Sequence, residues 1–391
     1  MTTGRLPIDT SYLTRQLRRL LTVPSPTGYT DTVVREVCDE LARLDVPFEL
    51  TRRGAIRAVT EGVSRRPARA VIGHLDTLGC QVKGLKPNGR LELVPIGTWS
   101  ARFAEGARCT VFSDAGAYRG TILPLLASGH TFDDQIDTQP SSWDHVELRV
   151  DAFARHDHDL DALGIAVGDF VAIDPQPEFL DNGFIVSRHL DNKAGVAVML
   201  AALEATKREG VTPPVDVFWT LTITEEVGHG ASAVLPPEVA AMVTVDNGTT
   251  APGQNSSEFG VTVAMADQTG PFDYHLTHKL IRLCHDQDIR FQRDIFKHYR
   301  SDSASALEAG ADVRTALITF GVDSSHGYER IHMHALRSLA ELVTAYVASS
   351  IEITRDARDL ASLKGFTTQP MAEAEQELSR DSEVPAEVET G

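Results

Sequence analysis

Residues 193–226 read KAGVAVMLAALEATKREGVTPPVDVFWTLTITEE, and this stretch decides the fold. Its first part, 193–208, is predicted to be helical because apolar residues recur at helical spacing. The run 217–223 follows after a short connection and is rich in β-branched and aromatic residues, which is typical of a buried strand. A helix followed by a buried strand is the repeating unit of an α/β protein.

The same alternation extends along the chain on both sides of this stretch. Short apolar runs predict further buried strands at 68–73, 242–245 and 315–320. Helical spacing predicts two helices within 8–46 and further helices at 273–287 and 335–350. We therefore predict an α/β fold, with a mixed central sheet flanked by helices on both faces.

One long segment departs from this alternation. Residues 80–182 are rich in glycine, proline and short alternating runs, and helical periodicity is nearly absent. Because α/β signals lie on both sides, we predict a small β-rich domain inserted at a loop. The predicted α/β domain has two parts, residues 1–79 and 183–366, and the insertion at 80–182 lies between them. A disordered acidic tail is predicted at 367–391. The tail is predicted to be disordered because residues 371–391 hold seven acidic residues, one Arg and little apolar surface.

The overall composition is that of an ordinary globular protein, with 42% hydrophobic and 24% charged residues among 391. The net charge of −18 disfavours binding to the phosphate backbone of nucleic acids. Four scattered cysteines without CxxC spacing argue against a thiolate zinc site and against a disulfide scaffold. With no signal sequence and no 18-residue apolar run, we expect a cytoplasmic protein that does not bind membranes.

Five motifs carry side chains that bind divalent metals, and most of them follow an apolar run. They are GHLD at 73–76, RHLDNKAG at 188–195, TITEEVG at 222–228, VTVDNG at 243–248 and SSHGYERIH at 324–332. Ligands of open α/β sheets bind at the carboxyl ends of the strands, so we expect these motifs to converge. Neutral imidazoles and carboxylates are suitable donors for an ion such as zinc.

Each motif alone also has a simple structural explanation. An Asp at a strand-to-helix junction is a good helix N-cap, and two adjacent glutamates can form a solvated turn. Together, however, the motifs supply one bridging carboxylate, two imidazoles and two more carboxylates, which suits two divalent ions roughly 3.5–4 Å apart. One glutamate remains as a general base that deprotonates water.

As an ordered set, GHLD, HLDNK, TEEVG, VDNG and SHGYE resemble the glutamyl aminopeptidase and tetrahedral aminopeptidase family of dinuclear zinc metallopeptidases. The resemblance covers about residues 10–350 and includes the insertion, which in that family is a lid-like module also used in oligomerisation. It implies a zinc-exopeptidase-like fold, homo-oligomers and two divalent ions per chain, with Zn²⁺ favoured over Co²⁺ or Mn²⁺. The resemblance also implies five metal ligands, namely His74 and Asp246 for one ion, Glu226 and His326 for the other, and Asp191 as the bridge.

The resemblance further implies a role for two carboxylates that are not ligands. Glu225 would be the general base, and Asp76 would orient His74. The order of the adjacent glutamates comes from the family pattern, because composition does not distinguish them. His332 remains an alternative to His326 as the last ligand.

Two features bear on the substrate. Asn192 and Lys193 follow the bridging Asp, where the family usually has Asp and Arg, and this pairing is nearer to related carboxypeptidases and deacylases. The segments 267–274 and 325–330 resemble the branch associated with systems that make the osmoprotectant N-acetylglutaminylglutamine amide.

The resemblance implies a metallopeptidase that hydrolyses amide bonds, and we interpret it as an aminopeptidase acting on short peptides. A deacylase or carboxypeptidase acting on N-acylated amino acids or dipeptides stays open as an alternative. A catalytically silent assembly protein that keeps the scaffold is the alternative from another class. The intact chemistry at positions 74, 191, 225, 226, 246 and 326 argues against it.

Overall fold

The structure is a computed structural model that describes residues 5–370, so the predicted acidic tail lies outside the described residues from 371 onward. The helices are α1 Thr10–Thr22, α2 Asp31–Arg43, α3 Gly129–Phe132, α4 Gln135–Thr138, α5 Asp157–Ala162, α6 Leu190–Arg208, α7 Tyr274–Asp286, α8 Asp302–Glu308 and α9 Met333–Ala348. Short 3₁₀ helices lie at Ala101–Phe103, Trp143–His145 and Thr354–Ala357. Within the described range, no helix has the length and apolar character needed to cross a bilayer.

The strands of the first half are β1 Phe48–Leu50, β2 Ile56–Thr60, β3 Ser64–His74, β4 Gly79–Leu85, β5 Leu91–Ile96, β6 Arg108–Ser113, β7 Gly116–Pro124, β8 Val146–Val150 and β9 Phe170–Ile173. Those of the second half are β10 Glu178–Phe179, β11 Phe184–Ser187, β12 Val215–Thr222, β13 Val239–Thr249, β14 Val261–Asp267, β15 Gly270–Pro271, β16 Phe291–Ile295, β17 Arg314–Val322 and β18 Glu329–His332. The helices and strands predicted from apolar spacing all occur, with ends shifted by a few residues.

Nine strands of the described chain form the central sheet, in the order β1-β2-β12-β3-β13-β17-β14-β15, with β16 paired to β14. The four middle strands, β12, β3, β13 and β17, run parallel to one another. Strands β1, β2 and β14 add antiparallel pairs at the two sides. The predicted mixed sheet is therefore confirmed, and the carboxyl ends of its parallel strands share one edge.

Helices cover both faces of this sheet. Helices α1, α2, α6, α7 and α9 join one large apolar cluster, whereas α8 packs with a smaller cluster on the opposite face. The alternation of side chains along β3 explains the two clusters, because Val71 belongs to the first and Ile72 to the second. Helix α6 is buried along most of its length, and its many Ala, Gly and Val residues allow close packing on the sheet.

Six strands from the middle of the chain close into a small barrel in the order β4-β5-β8-β7-β6-β9. The barrel has its own apolar core, which includes Cys80, Val111 and Leu148. This barrel is the predicted β-rich insertion. We retain 80–182 as the proposed extent of the inserted domain.

A three-stranded sheet of β10, β11 and β18 connects the barrel to the main domain. Strand β11 pairs antiparallel with β18, and Ser187 lies opposite Glu329 in this pairing. Because β11 leads directly into α6, the pairing brings the segment after β17 beside the first turn of α6. This small sheet therefore connects two motifs that are far apart in the sequence.

Candidate metal centre

The predicted donor side chains meet at the carboxyl edge of the four parallel strands. The chain supplies His74 at the end of β3, Asp191 in the first turn of α6, Glu225 and Glu226 after β12, Asp246 in β13 and His326 after β17. Strand register supports the convergence, because His74 pairs with Thr222, the last residue of β12. Five separate segments of the chain thus supply side chains to one buried cluster.

The donors form two groups that share Asp191. In the first group, ligand atoms of His74, Asp191 and Asp246 all lie within 4.8 Å of one another. In the second group, the same holds for Asp191, Glu226 and His326. Asp191 Oδ1 lies 3.2 Å from His74 Nε2, and Asp191 Oδ2 lies 3.3 Å from His326 Nε2. One carboxylate therefore presents one oxygen to each imidazole.

Both imidazoles present Nε2 to the cluster because Nδ1 contacts a main-chain carbonyl. His74 Nδ1 lies 2.9 Å from the carbonyl oxygen of Asp76, and His326 Nδ1 lies 2.8 Å from that of Thr98. A carbonyl oxygen only accepts hydrogen bonds, so Nδ1 carries the hydrogen in each ring. The Nε2 lone pair is then free to bind a metal ion.

The cluster concentrates negative charge away from water. Asp191 and Asp246 are 5% and 2% exposed, and Glu226 Oε1 is buried without a hydrogen-bond partner in residues 5–370. Burial raises the pKa of Asp246 to about 7 and that of Glu226 to about 8. Burial also tends to raise the pKa of Asp191, but hydrogen bonds with His326 and His74 lower this pKa overall. This donor set fits divalent cations, which would offset the repulsion between the carboxylates.

Glu225 belongs to neither group of donors but faces them. Its Oε2 lies 3.7 Å from His74 Nε2, and its side chain is 14% exposed. Burial raises the pKa of Glu225 well above the usual value; nearby His74 opposes this shift and Asp246 adds to it. The side chain lines a cavity of about 890 Å³. A buried carboxyl group beside a cavity of this size is suited to proton transfer.

Asp76 contacts the ring of His74, the residue that it was predicted to orient. The carbonyl oxygen of Asp76 lies 2.9 Å from His74 Nδ1, and its carboxylate oxygen lies 3.6 Å from the same nitrogen, so the orienting role of Asp76 stays a prediction. The carboxylate also accepts the backbone N–H groups of Glu225 and Glu226 at 3.2 and 3.3 Å, and the Thr27 hydroxyl at 2.7 Å. Asp76 thus holds the loop that carries the two glutamates.

Of the two histidines considered for the last ligand, His326 lies in the cluster and His332 does not. His332 caps α9 by accepting the backbone N–H of His334 at 3.0 Å. Its Nε2 faces the carbonyl oxygen of Asn182 at 3.0 Å. Its ring nitrogens are therefore engaged with the main chain near the start of α9.

Glu329 has a position that the sequence analysis did not anticipate. It is 1% exposed and accepts the backbone N–H groups of Asp191 at 3.1 Å and His326 at 3.0 Å. One carboxylate therefore holds the backbones of two candidate ligands that are far apart in the sequence. The available signal was the motif SHGYE, which contains both His326 and Glu329.

Asp302 is a second buried carboxylate with a positioning contact. It accepts the Thr222 hydroxyl at 2.6 Å and the backbone N–H of Ala231 at 2.7 Å. These two residues flank the loop that carries Glu225 and Glu226. Ser301 caps α8, whereas the contacts of Asp302 with this loop depend on the tertiary fold.

The barrel also reaches the cluster, through the segment after β5. Thr98 supplies the carbonyl that faces His326 Nδ1, as described above. Gly97 has a φ of +79°, and a Cβ atom there would lie 2.5 Å from the Leu78 side chain. Glycine suits this position because its φ lies in the left-handed region and a Cβ atom would displace the Leu78 side chain.

The fold and the donor cluster define a class of protein, namely an α/β protein with a buried cluster of His, Asp and Glu side chains at the edge of its sheet that could hold metal ions. Comparison with known families gives the same result, because the M42 glutamyl aminopeptidase family model matches residues 54–342. The chain is also 34% identical over 334 residues to YhfE of Bacillus subtilis (strain 168), covering 85% of this chain and 96% of that relative.

Solved structures share the fold. A TET aminopeptidase from the marine sediment archaeon Thaumarchaeota archaeon SCGC AB-539-E09 aligns with a TM-score of 0.79 at 16% identity, covering 87% of this chain and 97% of that one. The Pyrococcus horikoshii TET1 peptidase, described as assembling into a tetrahedron or a large octahedral shell, aligns with a TM-score of 0.75 at 18% identity, covering 86% and 99%. The chain belongs to the M42 glutamyl aminopeptidase family and is a metal-dependent aminopeptidase. The family resemblance is thereby confirmed.

Proposed function

We propose that this metallopeptidase releases the N-terminal residue of short peptides with two divalent cations, Zn²⁺ first among them, and with Glu225 as general base. The observation that carries the proposal is the contact of both Asp191 oxygens with separate imidazoles, at 3.2 and 3.3 Å. In this proposal the metal ligands are His74 and Asp246 for one ion, Glu226 and His326 for the other, and Asp191 as the bridge.

The chemistry is divided between the cations and Glu225. When bound, the cations would polarise the scissile carbonyl and lower the pKa of a water molecule. Glu225 takes a proton from the attacking water on a carboxylate oxygen as the new C–O bond forms. It then returns this proton to the nitrogen of the leaving amine as the C–N bond breaks. Its position on the cavity wall, outside both donor groups, supports this role.

Buried carboxylates around the ligands support the geometry of the centre. Asp76 and Asp302 hold the loop with the two glutamates, and Glu329 holds Asp191 and His326. Partners of this kind orient metal ligands and raise the affinity for the ion. Glu329 provides the sharpest test because its two hydrogen bonds go to ligands of different chain segments.

We expect Glu329→Gln to weaken the binding of at least one ion by about 10–100-fold, the usual effect of removing such a partner. Glutamine has nearly the same size but replaces one acceptor oxygen by an NH₂ donor, so it no longer accepts both N–H groups. Zinc titration of the metal-free protein against a competing chelator measures this. Glu341→Gln is the matched control, because Glu341 is also buried but pairs with Arg337 at 3.0 Å. Wild-type zinc affinity in Glu329→Gln would show that Glu329 has no positioning role.

The alternative of a deacylase or carboxypeptidase was based on Asn192 and Lys193. Both side chains have structural partners: Asn192 Nδ2 donates to the carbonyl of Val245 at 2.7 Å, and Lys193 Nζ donates to that of Leu20 at 2.8 Å. They attach α6 to β13 and to the end of α1. Their departure from the family pattern therefore gives little support to a different substrate.

We expect peptides with a free N-terminus to be hydrolysed, and their N-acetylated forms to react at least about 100-fold more slowly, because a site that binds a polar group rejects analogues lacking it. When bound, one of the cations would hold the free amine of the substrate, and an acetyl group would remove this contact. Parallel assays of matched peptides, with and without the acetyl group, measure the ratio. Faster hydrolysis of the acetylated peptides would instead favour the deacylase.

We also propose that the chain self-associates in solution and acts in the cytoplasm. The support for self-association is the assembly described for the Pyrococcus horikoshii relative, together with the fold that the two chains share. The link to an osmoprotectant system remains a prediction from the two segments noted in the sequence. The silent assembly protein is disfavoured because every candidate donor is retained.

A further inference from the structure

Tyr299 has a buried hydroxyl group at the edge of the candidate site. It lies just before α8, and its ring packs edge-on against Phe296 with a centroid distance of 5.5 Å. The ring also packs beside a buried apolar cluster that contains Phe272 and Leu317. This packing fixes the ring, and the hydroxyl oxygen is buried with no hydrogen-bond partner among residues 5–370.

The hydroxyl lies beside the candidate reaction site. Tyr299 lines the same 890 Å³ cavity as Glu225, Asp246 and Asp191. Burial raises the pKa of the Tyr299 phenol well above its usual value, and the nearby carboxylates of Asp246 and Glu225 add to this shift. The hydroxyl therefore lies close enough to Asp246 to affect its pKa, although the contact does not reach the geometry of a full hydrogen bond.

The Tyr299 hydroxyl can donate a hydrogen bond, and several of the side chains around it are carboxylates. An ordinary phenol stays protonated near neutral pH, whereas ionised carboxylates only accept hydrogen bonds. The neighbouring cation Arg300 is already paired with Glu308 at 2.6 Å. A buried hydroxyl without a partner is unfavourable, so a substrate group that accepts its hydrogen bond would be stabilised at this position.

We propose that the Tyr299 hydroxyl donates a hydrogen bond to the carbonyl oxygen of the scissile amide, which makes Tyr299 a catalytic residue. The inference rests on the proposed function. As the water oxygen bonds to the carbonyl carbon, the π electron pair moves onto the carbonyl oxygen and Glu225 takes the proton. The hydrogen bond strengthens as this oxygen becomes negative. The electron pair returns when the C–N bond breaks, the proton passes to the leaving nitrogen, and Tyr299 is unchanged.

The test is Tyr299→Phe, which removes one oxygen atom and keeps the ring. We expect kcat to fall by about 10²–10³, the usual effect of removing one donor to the oxyanion. The KM and the zinc affinity should stay within about threefold of wild type, because the donor acts mainly in the transition state. Tyr346→Phe is the matched control: Tyr346 is also buried with an unpartnered hydroxyl within the described chain, but it lies on α9 beside Arg69 in a different cavity. Its kcat should equal that of wild type.

A binding measurement separates catalysis from structure. Calorimetry compares the binding of two ligands with the same side chain, an α-aminophosphonic acid, which is a tetrahedral anion, and the corresponding α-amino acid. The side chain is that of the residue which the wild-type enzyme releases fastest. We expect Tyr299→Phe to weaken binding of the phosphonate by about 10-fold or more, because charge-assisted hydrogen bonds are the strong ones. Binding of the amino acid should change much less.

Three outcomes overturn the assignment. Wild-type kcat in Tyr299→Phe would exclude the donor role while leaving the proposed function intact. A weakened zinc affinity, with kcat restored by excess zinc, would show that Tyr299 positions Asp246 instead. A wild-type protein that cleaves no peptide with a free N-terminus would refute the proposed function, and the role of Tyr299 with it.

Discussion

Replacing Glu225 by glutamine lowers kcat by about 10²–10⁴, the usual contribution of general acid–base catalysis, while the purified variant keeps its metal. Glutamine has nearly the shape of glutamate but does not accept a proton at neutral pH. Metal content is preserved because Glu225 belongs to neither group of converging donors. Steady-state kinetics and elemental analysis on the same preparation measure both quantities.

The control for this experiment is Glu204→Gln, which removes the same charge from the side chain that pairs with Arg208 near the end of α6. Its kcat should match wild type. Near-wild-type turnover of Glu225→Gln would refute the role of Glu225 as base. Loss of one ion from that variant would indicate that Glu225 is a metal ligand. The assignment of Glu225 as base and Glu226 as ligand would then have to be reversed or revised.

Replacing Asp191 by alanine removes most of both ions, whereas replacing His74 by alanine removes mainly one. The difference follows from the contacts, because Asp191 belongs to both donor groups and His74 to one. Metal ions contribute several kcal/mol of transition-state stabilisation, so we expect kcat/KM of Asp191→Ala to fall by at least about 10³-fold.

Metal content per chain, determined after dialysis against trace zinc, measures this second prediction. The two variants should differ in their residual zinc, with less in Asp191→Ala. If His74→Ala retained two ions per chain, the ligand assignment would be wrong. If Asp191→Ala lost only one ion, the carboxylate would not bridge the pair.

The fold and the convergence of the donors could be predicted because both follow from local patterns. Apolar runs separated by helical segments specify a parallel sheet, and the carboxyl ends of its strands share one edge. Donor residues that follow those runs must then lie near one another, as His74, Glu226 and Asp246 do. The motif that contains Asp191 was expected at the same edge, although Asp191 lies at the start of a helix, and its role as the bridge was implied by the family resemblance.

The contacts that position the ligands could not be predicted, because they depend on tertiary structure. Glu329 reaches Asp191 through the pairing of β18 with β11, which no local pattern specifies. Thr98 contributes a main-chain carbonyl, so its side chain carries no signal. Asp76 was expected to orient His74, but the hydrogen bonds from the backbone N–H groups of Glu225 and Glu226 to its carboxylate could not be predicted. The sequence identifies the donor types, and the fold decides their partners.

X-ray diffraction from zinc-loaded crystals, recorded at the zinc absorption edge, tests the paired-cation centre most directly. The account predicts two anomalous peaks per chain on either side of the Asp191 carboxylate, separated by roughly 3.5–4 Å as in other two-metal sites. A single peak, or peaks away from His74 and His326, would contradict it.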